Sequence, residues 1–218
     1  VFTVTGGGAM HMNDAFGHHP KLHCTYQHHE QACAMAAEAY ARLGNKMAAV
    51  CVTTGPGATN AITGVLGAWM DSIPMLVFSG QARYATTVSA SGLPLRSMGV
   101  QECNIVPVVK SLTKYAHMIV HPENIRYHLE KALYLAVNGR PGPVWLDIPL
   151  DVQGAVIETD DLKAYDPEEN PEQKPREIKD ETVEQILDKL QESKRPVLSP
   201  GNGVRLAGAH EDFYQLAE

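Results

Sequence analysis

Short runs of consecutive apolar residues alternate with segments of helical periodicity through residues 1–153. Such runs are typical of parallel strands buried on both faces, whereas apolar residues at i, i+3 and i+4 indicate amphipathic helices. The predicted strands are 1–5, 22–26, 47–53, 75–79, 116–120 and 144–148. The predicted helices are 10–16, 30–43, 58–71, 103–110 and 122–138. The alternation predicts a doubly wound α/β domain with a mainly parallel sheet and helices on both faces.

The composition changes after residue 153, which predicts three parts of the chain. Residues 1–153 form the α/β domain, and residues 154–180, rich in Asp, Glu and Pro, form a linker. Residues 181–218 begin a second α/β domain, with an amphipathic helix at 183–190, a strand at 196–199, a turn at 201–203 and a helix from 212. The sequence opens inside a strand without an initiator methionine and stops inside a helix, so we expect it to be a piece of a longer protein.

The overall composition excludes several classes of partner. A formal net charge of −7 argues against nucleic acid, because phosphate binding requires a basic surface. No apolar run approaches the roughly 20 residues that a membrane span needs. The four cysteines show no C-x-x-C spacing, which favours free thiols and a cytoplasmic location.

The carboxylate of Glu30 stands where a predicted strand gives way to an alanine-rich helix. An acidic side chain is favoured there because the positive end of the helix dipole stabilises the anion. The pattern alone fits two roles, a catalytic carboxyl group or an exposed glutamate in a first helical turn. Nearby histidines are dense, but they form no H-E-x-x-H motif and no metal site is predicted.

Three further motifs occur in a fixed order along the chain. They are the glycines at 6–9, the Thr-Thr-Gly-Pro-Gly-Ala-Thr-Asn segment at 53–60 and the Gly-Arg-Pro-Gly-Pro-Val-Trp-Leu-Asp-Ile-Pro segment at 139–149. Together with Glu30, this set resembles the pyrimidine-binding domain of thiamine-diphosphate-dependent enzymes, and most of all the acetolactate synthase (acetohydroxyacid synthase) large-subunit family. The resemblance covers about residues 1–153.

The resemblance implies roles for particular residues. The family glutamate that Glu30 matches hydrogen-bonds N1′ of the aminopyrimidine ring and thereby activates the cofactor to attack a 2-keto acid. The matching catalytic positions are Glu30 and Gln101. The matching cofactor-binding positions are Gly7, Gly8, Glu30, Thr53, Pro56 and Asn60. The alternative for Gly55-Pro56-Gly57 is a tight turn that serves only strand-to-helix geometry.

The resemblance also implies cofactors and an assembly. Thiamine diphosphate is held in the family through Mg²⁺ bound by a Gly-Asp-Gly sequence, which is absent from these 218 residues. We therefore expect the metal site in another domain of the full-length enzyme. FAD is possible in the central domain, although Gly201, Gly203 and Gly208 miss the dinucleotide-binding spacing. The family pattern further implies a homodimer or homotetramer formed through the pyrimidine domain.

Two departures from the acetolactate synthase pattern concern the substrate. Val100 replaces the family phenylalanine before Gln101, and the loop at 82–99 is longer and carries Arg83 and Arg96. Those arginines could clamp a carboxylate or remain solvated. The departures leave open another thiamine-diphosphate decarboxylase or synthase with a different acceptor. A non-catalytic dimerising module is the alternative from a different class.

Overall fold

The computed structural model describes residues 1–171 and 177–218, and its contacts divide the chain into two units, Val1–Gln173 and Lys174–Glu218. The predicted linker at 154–180 includes residues 172–176, which lie outside the described residues. Within the first unit, the segment after residue 153 packs against a helix through the buried Tyr165, whose backbone N–H donates to Glu130 over 2.9 Å.

The sheet of the first unit has six strands that pair only in parallel, in the order β2-β1-β3-β4-β6-β5. The strands are β1 (Phe2–Thr3), β2 (Thr25–Tyr26), β3 (Ala48–Val52), β4 (Met75–Gln81), β5 (Tyr115–Met118) and β6 (Pro143–Pro149). Every residue of β4 and β6 is buried, as expected for central strands covered on both faces. The predicted doubly wound α/β fold is confirmed.

Helices cover both faces of this sheet. They are α1 (Met10–His18), α2 (Glu30–Gly44), α3 (Pro56–Asn60), α4 (Ile62–Met70), α5 (Val88–Ser91), α6 (Ile105–Val109), α7 (Ile125–Val137) and α8 (Leu150–Gln153). Because side chains alternate along a strand, Val77 and Trp145 join the core under α2 and α4, whereas Leu76 and Leu146 join the core under α1 and α7. Two apolar cores therefore hold the sheet in place from opposite sides.

The predicted element boundaries differ from the structure at several places. The helix predicted at 58–71 begins earlier, at Pro56, and is interrupted at Ala61. The helix predicted at 122–138 begins with a 3-10 turn, Pro122–Asn124, before α7. The first two strands are shorter than predicted, with two residues each.

The second unit consists of helices in its described residues. They are α9 (Asp180–Glu192), α10 (Asn202–Leu206) and α11 (His210–Ala217). The predicted strand at 196–199 is wrong, because this segment has no neighbouring strand with which to pair. The predicted turn at 201–203 is also wrong, since α10 begins at Asn202. Among the described residues, no helix is both long and apolar enough to span a bilayer.

Candidate active site

The candidate residues collect at the carboxyl edge of the sheet, where parallel strands end together and α/β folds commonly bind ligands. Gly7 and Gly8 follow β1, Thr53 follows β3, and Gln81 ends β4. The fold brings these positions side by side because β1, β3 and β4 are neighbours in the sheet.

Glu30 is the first residue of α2 and is partly buried. Its Oε2 accepts a hydrogen bond of 2.7 Å from Nδ2 of Asn60, which ends α3. The amide of Asn60 also approaches Nε2 of His29, at 3.4 Å. The carboxylate is thus held in one orientation at the first position of α2.

The turn between β3 and α3 requires glycine at two positions. Gly55 has φ +56°, and a Cβ there would lie 2.0 Å from the carbonyl oxygen of Gln101. A Cβ at Gly57 would lie 2.7 Å from Cγ2 of Thr53 and 3.5 Å from Oε1 of Glu30. Gly55 therefore lies tightly against the backbone of Gln101, and a side chain at Gly57 would contact both Thr53 and the Glu30 carboxylate.

The glycine turn after β1 is fixed from two sides. The backbone N–H of Gly8 donates to Oγ1 of Thr53 over 3.0 Å. The carbonyl of Gly8 accepts a 2.7 Å hydrogen bond from Nε2 of Gln153. Thr53 therefore ties the first glycine turn to the second one, next to Glu30.

A cavity of about 390 Å³ lies beside these turns. Its lining residues are Gly7, Gly8, Met10, Thr54, Gln81, Ala82, Arg83, Thr86, Val100, Gln101 and Leu150. Gln101 is exposed and has φ +56°, so its backbone is held in the left-handed region. Arg83 belongs to the cavity wall, but Arg96 does not.

The long loop that carries Arg83 is ordered by Glu102. Its carboxylate accepts hydrogen bonds from the backbone N–H groups of Val88 at 2.7 Å, Met98 at 2.9 Å and Gly99 at 3.1 Å. Partial burial raises the pKa of Glu102, but these three donors outweigh it, so that its pKa lies below the usual value. The loop thereby forms a fixed wall of the cavity.

A buried polar network behind the cavity was missed by the sequence analysis. Oγ1 of Thr54 donates to Oε1 of Gln81 over 2.8 Å. Nε2 of Gln81 donates to the Cys103 carbonyl at 2.8 Å and to Oδ2 of Asp147 at 3.1 Å. Oδ1 of Asp147 accepts from Oγ of Ser79 at 2.5 Å. The available signal was a charged residue, Asp147, inside an otherwise apolar run.

This network connects the strand core to both turns of the site. Through Gln81, Asp147 is linked to Thr54, which precedes the Gly55 turn, and to Cys103, which follows Gln101. Burial raises the pKa of Asp147 to about 7, although its hydrogen bonds from Ser79 and Gln81 act in the opposite direction.

The structure thus arranges the predicted residues in two adjoining groups. Glu30, Thr53 and Asn60 surround the turn at Gly57, whereas Gly7, Gly8 and Gln101 line the cavity. Pro56 is exposed at the first position of α3. Within the part of the chain that the structure describes, no group of three or more His, Cys, Asp or Glu side chains could hold a metal ion.

A parallel sheet with a hydrogen-bonded carboxylate and two glycine turns at its carboxyl edge defines the class of protein, a parallel α/β domain whose candidate ligand site lies at that edge. Residues 1–108 match the family model described as thiamine pyrophosphate enzyme, N-terminal TPP binding domain. Through these residues the chain belongs to the thiamine pyrophosphate enzyme family.

Curated relatives extend the similarity beyond this domain. The acetolactate synthase large subunit of Lactococcus lactis is 34% identical over 219 residues, covering 100% of this chain and 36% of the relative. The large subunit of Corynebacterium glutamicum is 35% identical, covering 100% of this chain and 33% of the relative. The chloroplastic acetolactate synthase of Arabidopsis thaliana is 34% identical, covering 93% of this chain and 29% of the relative. The chain therefore spans about a third of the length of these relatives.

Proposed function

We propose that this chain forms the aminopyrimidine-binding part of a thiamine-diphosphate-dependent enzyme that acts on 2-keto acids, like acetolactate synthase. The observation that carries the proposal is the Glu30 carboxylate, held by Asn60 at the start of α2 and facing the Gly57 turn. The similarity of the whole chain to acetolactate synthase large subunits supports the same assignment.

The residues at the turn fit an aminopyrimidine ring. The amide of Asn60 donates a hydrogen bond to Oε2 of Glu30. The other oxygen, Oε1, lies beside Gly57, where a side chain would fill the space. Oε1 is therefore the oxygen that we assign to the hydrogen bond with the ring nitrogen. When bound, thiamine diphosphate supplies the electron sink for decarboxylation of a 2-keto acid.

In this proposal, the chain's own residues position the cofactor and the substrate and activate the cofactor. Glu30 would hold the ring nitrogen and share a proton with it, as a positioned general acid–base group does, and Asn60 keeps the carboxylate oriented. Thr53 sets the distance between the two glycine turns by accepting from Gly8. Gln101 and Arg83 stand in the cavity wall, where an amide and a guanidinium can bind the carbonyl and carboxylate of a 2-keto acid.

The cavity wall controls which acceptor substrate can bind. Val100, 84% exposed, lines the cavity at the position where the family carries phenylalanine. A smaller side chain leaves more room, which supports the second candidate, a related synthase or decarboxylase with a larger acceptor. A product screen of the complete enzyme with pyruvate alone, and with pyruvate plus aldehydes, separates the two candidates.

The proposed function predicts a loss of activity for Glu30→Gln in the complete enzyme. The amide keeps the shape of the side chain but cannot share a proton, so we expect kcat to fall by about 10²- to 10⁴-fold. Steady-state kinetics with pyruvate measure the effect. Glu123→Gln, at an exposed acidic residue, is the matched control and should leave kcat unchanged. Unchanged activity in Glu30→Gln would contradict the catalytic role.

The remaining cofactors belong to the complete enzyme. We propose that Mg²⁺ is bound outside these 218 residues, because they contain no Gly-Asp-Gly sequence. FAD in the central domain, which the resemblance implies for acetolactate synthases, is tested by the visible absorption spectrum of the purified enzyme. The four free cysteines support our proposal of a reducing, cytoplasmic location.

We also propose a homodimer or homotetramer that joins protomers around Glu30, Pro56 and Asn60. The small residues of α2 and α4 let these two helices pack closely against each other within the chain, since a Cβ at Gly64 would lie 2.5 Å from Cβ of Ala34. The assembly proposal therefore relies on exposed apolar side chains of these helices, Met35 at 45% and Leu66 at 39% exposure.

The assembly proposal predicts that Met35→Lys weakens self-association. A charge in the centre of an apolar interface is left without a partner, so we expect the sedimentation coefficient to shift towards the monomer at micromolar concentration. Leu43→Lys, at the far end of α2 and 89% exposed, is the control that should not change the coefficient. A stable monomer for the unsubstituted protein would contradict the proposal.

A further inference from the structure

A second pocket lies at the opposite edge of the sheet from Glu30. Its cavity of about 280 Å³ is lined by Trp69, Met70, Lys114, Arg140 and Pro141. These residues come just before β4, β5 and β6, at the amino ends of the strands. β4 has seven residues, so the two edges are separated by about 20 Å of strand. The pocket is therefore distinct from the proposed cofactor site.

Two cations in this pocket have no carboxylate partner among the described residues. The ammonium of Lys114 is partly buried and donates to the carbonyl of Asn138. Burial lowers the pKa of Lys114 to about 8, and no charged neighbour contributes to that shift. Nε of Arg140 donates to Oγ of Ser72 over 2.7 Å, which fixes the guanidinium.

The absence of an anionic partner is informative for Lys114, because a partly buried cation is costly to desolvate unless it is paired. Asp71, the acidic residue that directly follows Met70 in the sequence, forms an ion pair of 2.6 Å with Arg42. The pocket therefore presents positive charge that an incoming anion can neutralise.

The remaining walls of the pocket are apolar. Trp69 is 38% exposed at the end of α4 and lies next to Met70 and Pro141. A Cβ at Gly142 would stand 3.3 Å from the Lys114 side chain and 3.6 Å from Cε3 of Trp69. The Lys114 stem and the indole of Trp69 therefore both lie close to the backbone of Gly142.

We propose that this pocket binds a small organic anion in which a flat apolar ring carries a carboxylate or a phosphate. The ring packs against Trp69 and Pro141, and the anionic group pairs with Lys114 and Arg140. At about 30 Å³ per water molecule, the 280 Å³ cavity corresponds to about nine waters, which is enough room for a one-ring acid.

The experiment is a titration of the 218-residue chain followed by ¹H–¹⁵N nuclear magnetic resonance. Trp69 and Trp145 are the two tryptophans, and the Trp69→Phe variant assigns their indole signals. The probes are benzoate and phenyl phosphate, with benzyl alcohol and inorganic phosphate as controls for the ring and the charge. We expect the Trp69 indole and the Gly142 amide to shift in a saturable manner, whereas Trp145, which is fully buried, stays in place.

The two anionic probes separate the two headgroups, since tighter binding of benzoate or of phenyl phosphate identifies the preferred one. Benzyl alcohol and inorganic phosphate should each bind at least about tenfold more weakly than the better probe. Equal binding of the neutral alcohol, or no saturable shift by about 20 mM of either anion, would overturn the proposal.

Variants connect the shifts to the two cations. Lys114→Met keeps the apolar stem and removes the charge, and Arg140→Gln does the same at an exposed position; each should weaken binding by about tenfold. Lys110→Gln removes an exposed charge four residues from Lys114 and should leave binding unchanged. Binding within about twofold of the original in both pocket variants would refute the assignment. Thiamine diphosphate takes no part in this test, so its outcome is independent of the role of Glu30.

Discussion

The carboxyl group of Asp147, behind the candidate site, has no exposed surface. Burial disfavours its charged form, and two donors, from Ser79 and Gln81, partly offset that cost. At the residue scale, the site thus depends on a group that does not itself line the cavity. Asp147 orients Gln81, and Gln81 bonds to the Thr54 hydroxyl on one side of the Gly55–Gln101 contact and to the Cys103 carbonyl on the other.

The raised pKa of Asp147 predicts a pH-dependent effect of Asp147→Asn on stability. The folded pKa is about 7 and the ordinary value is 3.8, so the folded state binds a proton that the unfolded state releases between these values. The contribution of the Asp147 carboxyl group to the free energy of unfolding is complete below pH 3.8 and is lost as pH rises through 7. We therefore expect the variant's deficit in free energy of unfolding to be larger at pH 5 than at pH 8.

The deficit at pH 5 should be about 1–3 kcal/mol, because an asparagine amide would point its donors at a donor of Gln81 or Ser79. Urea unfolding at both pH values measures it. Asp160→Asn, at an exposed carboxylate, is the control and should show no change. A deficit that grows with pH would show that Asp147 is charged in the folded protein at neutral pH.

At the scale of elements, β5 and α7 meet through a pair of stacked histidines. The rings of His117 and His128 have centroids 3.9 Å apart, and Nδ1 of His128 is hydrogen-bonded to the Tyr115 hydroxyl at 2.6 Å. Lys131 lies on the same helix and adds a positive charge to this contact. Burial, His117 and Lys131 together lower the pKa of His128 to about 4, so the contact is made by neutral rings.

This contact predicts a loss of stability in acid that depends on His128. Between its ordinary pKa of 6.5 and its folded pKa of about 4, the unfolded state binds a proton that the folded state excludes. Stability from this group therefore falls as pH is lowered from 6.5 towards 4. We expect His128→Gln to be destabilising at pH 7 and progressively less so towards pH 4, as measured by urea unfolding.

The exposed His28 supplies the control, because His28→Gln should change stability equally little at both pH values. An effect of His128→Gln that does not vary with pH would mean that the ring is not excluded from protonation in the folded state.

At the scale of the whole molecule, the 218 residues carry the proposed pyrimidine site but no Gly-Asp-Gly sequence, which we expect to bind the metal. One hydrogen bond to a charged group contributes about 1.5–3 kcal/mol, whereas immobilising a ligand costs at least about 4 kcal/mol. We therefore expect a chain of these residues to bind thiamine diphosphate with Kd of about 1 mM or weaker and to show no carboligase activity. Calorimetry checks the affinity, with Glu30→Ala as the control.

Micromolar binding of thiamine diphosphate to this chain would contradict the division of roles proposed above. It would mean that residues other than Glu30 and its turn contact the diphosphate without the family's metal site.

The alternation of strands and helices could be predicted because each segment carries its own periodicity. The buried runs of β4 and β6 and the apolar stripe of α7 are legible over a few consecutive residues. Glu30 and Asn60 were also predicted, from an ordered set of motifs, and the structure places them 2.7 Å apart. The prediction of a strand at 196–199 failed because strand formation depends on a partner strand, which local sequence does not specify.

Only the tertiary structure decided the contacts between residues that are distant in sequence. Gln81 meets Cys103 and Asp147, which are 22 and 66 positions away, and no local pattern encodes either hydrogen bond. The pocket at the amino edge likewise combines the end of α4 with the residues before β5 and β6. The sequence by itself determined the parallel α/β fold, because local periodicity lies along the chain, and the order of its motifs predicted the residues of the candidate cofactor turn. Tertiary packing decided which polar groups became buried partners and which cations were left facing a cavity, because burial depends on which strands become neighbours.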